Sequence, residues 1–347
     1  MTQLRHPADV LFEEGDAVPA LPVCDHYCGV DARMRKSLEL QAKMGPVFDV
    51  TLDGEDGAPV GGEVAHARLM AELVMSPLNA HGRVGARVVP FDHPAFVPML
   101  DALLPQAGAR LAYLMIPKPR HIADLNAAIA AVDAVLQRAG VTHTRVRPLP
   151  IHALVETHGA LRDVWAMAAH PRIESLSFGL MDFVSAHRGA IPQTAMGAKS
   201  PGGQFDHPLV LRAKLEIAAA CHAHGKVPSH CVVTEFKDKA ALQDAAEKAS
   251  RRLGYTRMWS IHPDQIGPIV DAFAPSTAEV DQAIEIIQAA QAADWAPIRH
   301  SHNGREQLHD RASFRYFWQV LQRAHRTSFA GGPQLPEEVR LAYFGAQ

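Results

Sequence analysis

Two acidic residues stand one strand–helix unit apart, each directly behind a short apolar run: Glu156 after Ile151 to Val155, and Asp182 after Ile173 to Phe178. An apolar run of this length, bounded by turn or helix-start residues, reads as a buried parallel strand. A carboxylate at the C-terminal end of such a strand is where an α/β barrel keeps its chemistry. Two of them on neighbouring strands lie side by side at the barrel mouth and could share one hard cation. Mg²⁺ suits such a pair, because it takes carboxylate and water oxygens and keeps positions open for a chelating substrate. Taken singly, either acid also reads as an ordinary helix N-cap or first-turn residue. Three more acids crowd the stretch Asp53-Gly54-Glu55-Asp56-Gly57. Either they position cationic and amide groups of a site, or they form a solvated turn. Arg87 sits inside the apolar stretch Arg83 to Val89. It must find an anion or the open mouth there, because burying it unpaired is very costly.

The elements needed to position these residues are legible in order. Candidate strands fall at Ala20 to Cys24, Val47 to Leu52, Arg83 to Val89, Leu111 to Ile116, Ile151 to Val155, Ile173 to Phe178, Val227 to Thr234 and Thr256 to Ile261. Helical patterns alternate with them, which makes a (β/α)₈ TIM barrel, an α/β fold, over residues 1–275. The segment from Arg188 to Gln204 reads as a working loop over the site, loosest at Ala198 to Gly203. Met1 to Pro19 reads as a polar lead-in, and residues 276–347 exceed what a barrel needs and form a C-terminal helical extension, two helices joined by a polar turn at Arg299 to Gly304. In its last helix Phe314, Phe317, Val320, Leu321 and Ala324 share one apolar face. A face with two phenylalanines needs a cover, either the chain's own barrel or a neighbouring subunit.

Composition narrows the classes. With a net charge of −3 the chain has no basic field for nucleic acid. No run of about 18 apolar residues predicts a membrane span. The polar N-terminus lacks a signal core, which predicts a cytoplasmic protein with reduced thiols. Cys24 and Cys28 flank only three residues, but Cys221 and Cys231 supply no matching second pair for zinc.

Seven motifs in order now resemble the HpcH/HpaI aldolase and citrate lyase β-subunit family, from about Val23 to Ala324. They are Asp53-Gly54-Glu55-Asp56, Arg87-Val88-Val89-Pro90, Pro117-Lys118, Val155-Glu156-Thr157, Phe178-Gly179-Leu180-Met181-Asp182, Ile261-His262-Pro263-Asp264-Gln265-Ile266 and Phe273-Ala274-Pro275. The resemblance implies a carbon–carbon lyase in its CoA-ester branch, acting with Mg²⁺ (or Mn²⁺) on a malyl-, citramalyl- or citryl-CoA-like thioester, with an acyl-CoA and an oxo acid as partners. Glu156 and Asp182 are then metal ligands. Arg87 faces the substrate oxygens, with Glu55 and Asp56 orienting it or the metal-bound waters. Lys118 touches a CoA phosphate or merely ends a strand. In the family a C-terminal segment of a neighbouring subunit closes the site, in a homotrimer or hexamer. The counterpart here is Leu308-His309-Asp310, with Asp310 a general acid/base or a plain helix N-cap. The chain departs from the pattern at Gly54, at Val89 and at Ser229-His230-Cys231. Those departures keep a non-catalytic subunit open. The other alternative is an aldolase working on free 2-oxo acids without CoA, from a subgroup that shares the metal-binding Glu and Asp but usually lacks the two extra helices.

Overall fold

In the computed structural model, which describes residues 5–13, 19–141, 148–199, 201–302, 304–329 and 334–345, the chain divides into two compact units. One comprises residues 19–270 and the other joins residues 1–18 to 271–347.

The larger unit is a closed barrel of eight parallel strands in sequential order: β1 Cys24–Cys28, β2 Phe48–Asp53, β3 Val84–Arg87, β4 Leu114–Ile116, β5 Ile151–Val155, β6 Ile173–Phe178, β7 Val227–His230 and β8 Arg257–Ser260. β8 closes the ring by pairing Met258 with Cys24. The strands at Glu156 and Asp182 begin and end where the sequence places them. β1 does not: it starts at Cys24, where the apolar stretch was expected to end. Pro22 cannot donate to a ladder. The strand continues instead through Asp25 and His26, polar residues that a search for apolar runs passes over.

His26 is held by Ser260 and Ser37, and Asp25 is tolerated because the barrel floor is a layer of paired charges. Side chains alternate along a strand, so Asp49, Thr51 and Asp53 of β2 face inward, as do Arg83 and Arg87 around β3. At the N-terminal ends of the strands, Arg257 pairs with Asp49 at 2.5 Å and with Asp25 at 3.1 Å, all three fully buried. Arg83 grips Asp49 with two hydrogen bonds of 2.7 and 2.8 Å. Asp25 accepts further from Thr51 and Tyr113, and His152 meets Glu174 at 3.0 Å. Gly85 makes room for the Tyr113 ring, since a Cβ there would lie 2.2 Å from it. Above this layer sits an apolar cluster of Tyr27, Met115, Leu154, Val232 and Trp259.

In the smaller unit the helices Thr277–Ala292 and Arg311–Thr327 pack together. The apolar face at Phe314, Phe317, Val320, Leu321 and Ala324 is buried, but within this unit, against Val280, Ile286 and Ile287, Leu11 of the helix Pro7–Leu11, and Val339. This unit thus covers the face itself, where a neighbouring subunit or the chain's own barrel was expected to do so. The residues ahead of β1, expected as a polar lead-in to the barrel, join this core through Leu11. The stretch expected as a polar turn at Arg299 to Gly304 is an antiparallel hairpin, β9 Ile298–His302 with β10 Arg305–His309. No helix among the described residues is long and apolar enough to cross a membrane.

Candidate active site

Five consecutive strands deliver charged side chains to one end of the barrel. Asp53 ends β2, Arg87 ends β3, Lys118 follows β4, Glu156 follows β5, and Asp182 lies in the first turn of the helix Leu180–Ser185 after β6. All are on the C-terminal side of the strands, where a barrel of this kind does its chemistry.

Asp53 organises the first half. Its carboxylate accepts from Arg87 Nε at 2.7 Å and Nη2 at 2.5 Å, and from the backbone N–H groups of Glu55 and Gly57 at 3.0 and 2.9 Å. The acidic turn is therefore built around Asp53, and Gly57 must be glycine, since a Cβ would fall 2.2 Å from Asp53 Oδ2. Arg87 also pairs with Glu55 at 3.0 Å. Its guanidinium carbon stands 5.3 Å over the Tyr27 ring and 6.0 Å from the Trp259 ring. Buried among these carboxylates, Arg87 is held protonated well above its ordinary range despite desolvation.

Lys118 organises the second half. Its Nζ lies 2.5 Å from Glu55, 2.9 Å from Asp56 and 3.6 Å from Asp182, while its backbone N–H donates to Glu156 Oε1 at 2.8 Å. Lys118 thus bonds acids of the site through both its ammonium group and its backbone. Partial burial pulls Asp56 upward, but the hydrogen bond and charge of Lys118, with the charge of Arg87 and a hydrogen bond with Glu55, together hold it below its usual value. Glu156 is 2% exposed. Burial first, and then the charge of Asp182, push its carboxyl up to about 8. Gly179 allows this packing, for a Cβ there would meet Glu156 Oε2 at 2.2 Å.

A cavity of about 770 Å³ opens beside the first half, lined by Asp53, Asp56, Arg87, Tyr27 and Trp259 at its inner end. Its rim carries Arg33 and Lys36, one turn apart on the helix Asp31–Met44, with Phe236 stacked on His262 at 5.1 Å. Glu156, Asp182 and Lys118 are outside this lining. Asp56 connects the two halves, facing the cavity and Lys118 together.

Sequence reasoning thus brings together Glu55, Asp56, Arg87, Lys118, Glu156 and Asp182. Asp53, read only as one of three acids that either position cationic and amide groups or form a solvated turn, does the first; Arg33 and Lys36 were given no role. The alternation Asp49, Thr51, Asp53 could have pointed to Asp53 as inward-facing. Nothing in the local pattern marks Arg33 and Lys36 apart from other helix-surface cations. Asp310 caps the helix Arg311–Thr327, with Oδ1 accepting from Ala312 and Ser313 N–H at 3.0 and 3.3 Å, the N-cap half of the earlier alternative. The segment after Asp182 is less loose than expected: Ala198 N–H donates to Glu235, Lys199 pairs with Asp238 and Gln204 is buried. Ser200 lies outside the described residues. The unusual His230 and Cys231 pack beneath this segment, His230 stacked on Phe205 at 5.3 Å and Cys231 Sγ donating to Gln204 at 3.0 Å.

Comparison with known proteins gives the same architecture a lineage. The L-malyl-CoA/beta-methylmalyl-CoA lyase of Cereibacter sphaeroides is 30% identical over 296 residues, covering 81% of this chain and 88% of that one. A solved structure described as a citrate lyase, from Burkholderia xenovorans, is 50% identical with a TM-score of 0.79, covering 98% of this chain and 99% of that one. The CitE protein of Mycobacterium tuberculosis, solved with magnesium, acetoacetate and coenzyme A, shares the fold at 20% identity and a TM-score of 0.64, over 89% and 99% of the two chains. Residues 41–263 match the family profile described as HpcH/HpaI aldolase/citrate lyase. With that match spanning most of the barrel, the chain belongs to the HpcH/HpaI aldolase/citrate lyase family of carbon–carbon lyases.

Proposed function

We propose that this chain is a Mg²⁺-dependent lyase that splits a 3-hydroxyacyl-CoA, of malyl-, citramalyl- or citryl-CoA type, into an acyl-CoA and an oxo acid. The observation that carries this is the cavity, which runs from the Arg87 guanidinium to two rim cations. A small oxo acid alone needs far less room, and Arg33 with Lys36 suits a phosphate-bearing tail. Malyl-CoA lyase activity in the Cereibacter relative supports the same substrate class.

The donor set fits Mg²⁺. Glu156 and Asp182 are two carboxylates whose mutual repulsion is relieved by a shared cation, and no cluster of three or more metal-ligating side chains occurs among the described residues. Two protein carboxylates with the remaining positions left to water and substrate is the usual Mg²⁺ arrangement. When bound, the ion supplies a Lewis acid that draws charge off the oxo-acid oxygens. Arg87 does the complementary work. With Asp53 and Glu55 fixing the plane of its fork, its guanidinium lines the cavity, and its N–H groups not used by those acids would meet the oxygen on which charge develops as the carbon–carbon bond breaks. Tyr27 and Trp259 exclude water from one side of it.

Incubation with acetyl-CoA plus glyoxylate, and separately with pyruvate and an aldehyde, each with and without Mg²⁺, tests the reading. The expected result is Mg²⁺-dependent formation of a malyl-CoA product. Turnover of free pyruvate with no response to the thioester would instead make the chain an aldolase.

Metal binding should also release protons. Glu156 keeps its proton up to about pH 8, and a ligand must be ionised. Below that pH each Mg²⁺ bound is expected to expel about one proton, so affinity rises about tenfold per pH unit and levels off above it. Calorimetric titration at pH 7 in two buffers of different ionisation enthalpy measures the proton count. A count of zero would remove Glu156 from the ligand set.

A further inference from the structure

We propose that Lys118 is the resident cation of the acidic cluster and opposes the divalent ion, so that Glu156 and Asp182 bind it tightly only together with a chelating oxo acid. The inference rests on the metal reading above and adds a device that sets its affinity.

Lys118 adopts a left-handed backbone, φ 50°, which is disfavoured for a residue with a side chain. That conformation lets one residue address both ligands. Its N–H donates to Glu156 at 2.8 Å, and its ammonium group sits 3.6 Å from Asp182 while bonding Glu55 and Asp56. The carboxylates are therefore already partly neutralised. An incoming divalent ion meets a fixed positive charge a few ångströms from one of its own ligands, in a partly buried place where screening is weak. Arg87, held by Asp53 and Glu55, adds a second positive charge nearby and frees none of those acids. An oxo acid brings its carboxylate and keto oxygens to the ion, and that negative charge offsets the repulsion. Metal and oxo acid then bind cooperatively, each raising the affinity of the other by the same factor.

The test is direct binding, with Mn²⁺ as the probe and the free-ion electron paramagnetic resonance signal as the readout. Wild type, Lys118→Gln, Lys118→Met and Lys118→Arg are titrated with and without glyoxylate, beside Glu156→Gln to show that the ion sits at this site. Both charge-free variants are expected to bind Mn²⁺ at least about tenfold more tightly than wild type without glyoxylate, and to gain less from adding it. Lys118→Arg keeps the charge and should resemble wild type. Unchanged or weaker binding in a folded Lys118→Gln or Lys118→Met would overturn the proposal, because the lysine would then assist the site. Absence of any Glu156-dependent binding, in wild type and variants alike, would remove the metal reading itself, a different result from the one that sinks the role of Lys118.

Discussion

Replacing Arg87 by lysine is expected to lower turnover by about 10²–10³-fold while leaving the barrel folded, the size of effect seen when a preorganised donor to a developing oxyanion is lost. The substitution keeps the positive charge, so Asp53 is not left buried and unpaired. It removes the fork. A lysine ammonium can approach Asp53, but it cannot hold both Asp53 oxygens at 2.7 and 2.5 Å while reaching Glu55 at 3.0 Å and lying flat over Tyr27. The charge thus survives and its direction does not. The loss should appear in kcat, with KM little changed, because the contact matters where charge develops. Arg87→Ala is the poorer experiment, since the orphaned Asp53 would disturb the acidic turn by itself. A near-wild-type rate for the lysine variant, in the acetyl-CoA and glyoxylate assay, would show that the fork is not used.

The largest effect on stability is expected at the opposite end of the barrel. Arg257→Met leaves Asp25 without its cation and Asp49 with Arg83 alone, in a fully buried layer. Breaking one partner out of such a pair typically costs about 3–5 kcal/mol, which for a unit of this size is on the order of 10 °C in melting temperature. The loss should deepen with pH. Burial alone would raise Asp25, but Arg257 now holds it below its ordinary value. Without that partner its folded pKa rises above the unfolded one. The variant is then least destabilised in acid, where Asp25 is protonated, and loses stability as pH climbs through the raised value. Thermal melting at pH 5 and pH 8 measures both features. A shift below about 2 °C at pH 8 would mean that the layer is not held together by Arg257. Asp25→Asn added to Arg257→Met should recover part of the loss.

The fold was legible where strands are apolar and followed by a functional residue. β5 and β6 match their runs because apolar residues begin and end each of them and a functional acid follows close behind, even though His152, Glu174, Ser175 and Ser177 inside them are polar and buried. β1 was misplaced because its inward residues belong to the charged floor, and apolar periodicity cannot mark a strand whose inner face is Asp25. The short β9–β10 hairpin was read as a turn for a related reason: its residues are mostly polar on both faces. At the site, ionisable residues at strand ends were visible individually. What a single sequence could not convey was their division of labour. Glu55 and Asp56 look equivalent to Asp53 in the motif, yet Asp53 takes two hydrogen bonds from the Arg87 fork and two from the backbone of the turn, while Glu55 is shared between Arg87 and Lys118. The part of Lys118 was hidden too, since it depends on a left-handed backbone that lysine rarely adopts.

The apolar cluster of Tyr27, Met115, Leu154, Val232 and Trp259 separates two charged layers within one barrel. It acts as a spacer: among the described residues, no chain of hydrogen-bonding side chains links Arg257, Asp25 and Asp49 below to Glu156, Asp182 and Lys118 above. Heat tolerance and catalytic pH response are therefore expected to respond to different residues in this protein. A lineage moving to a hotter or more acidic niche can retune the lower layer without touching the chemistry, and can change substrate at the upper layer without re-earning its stability.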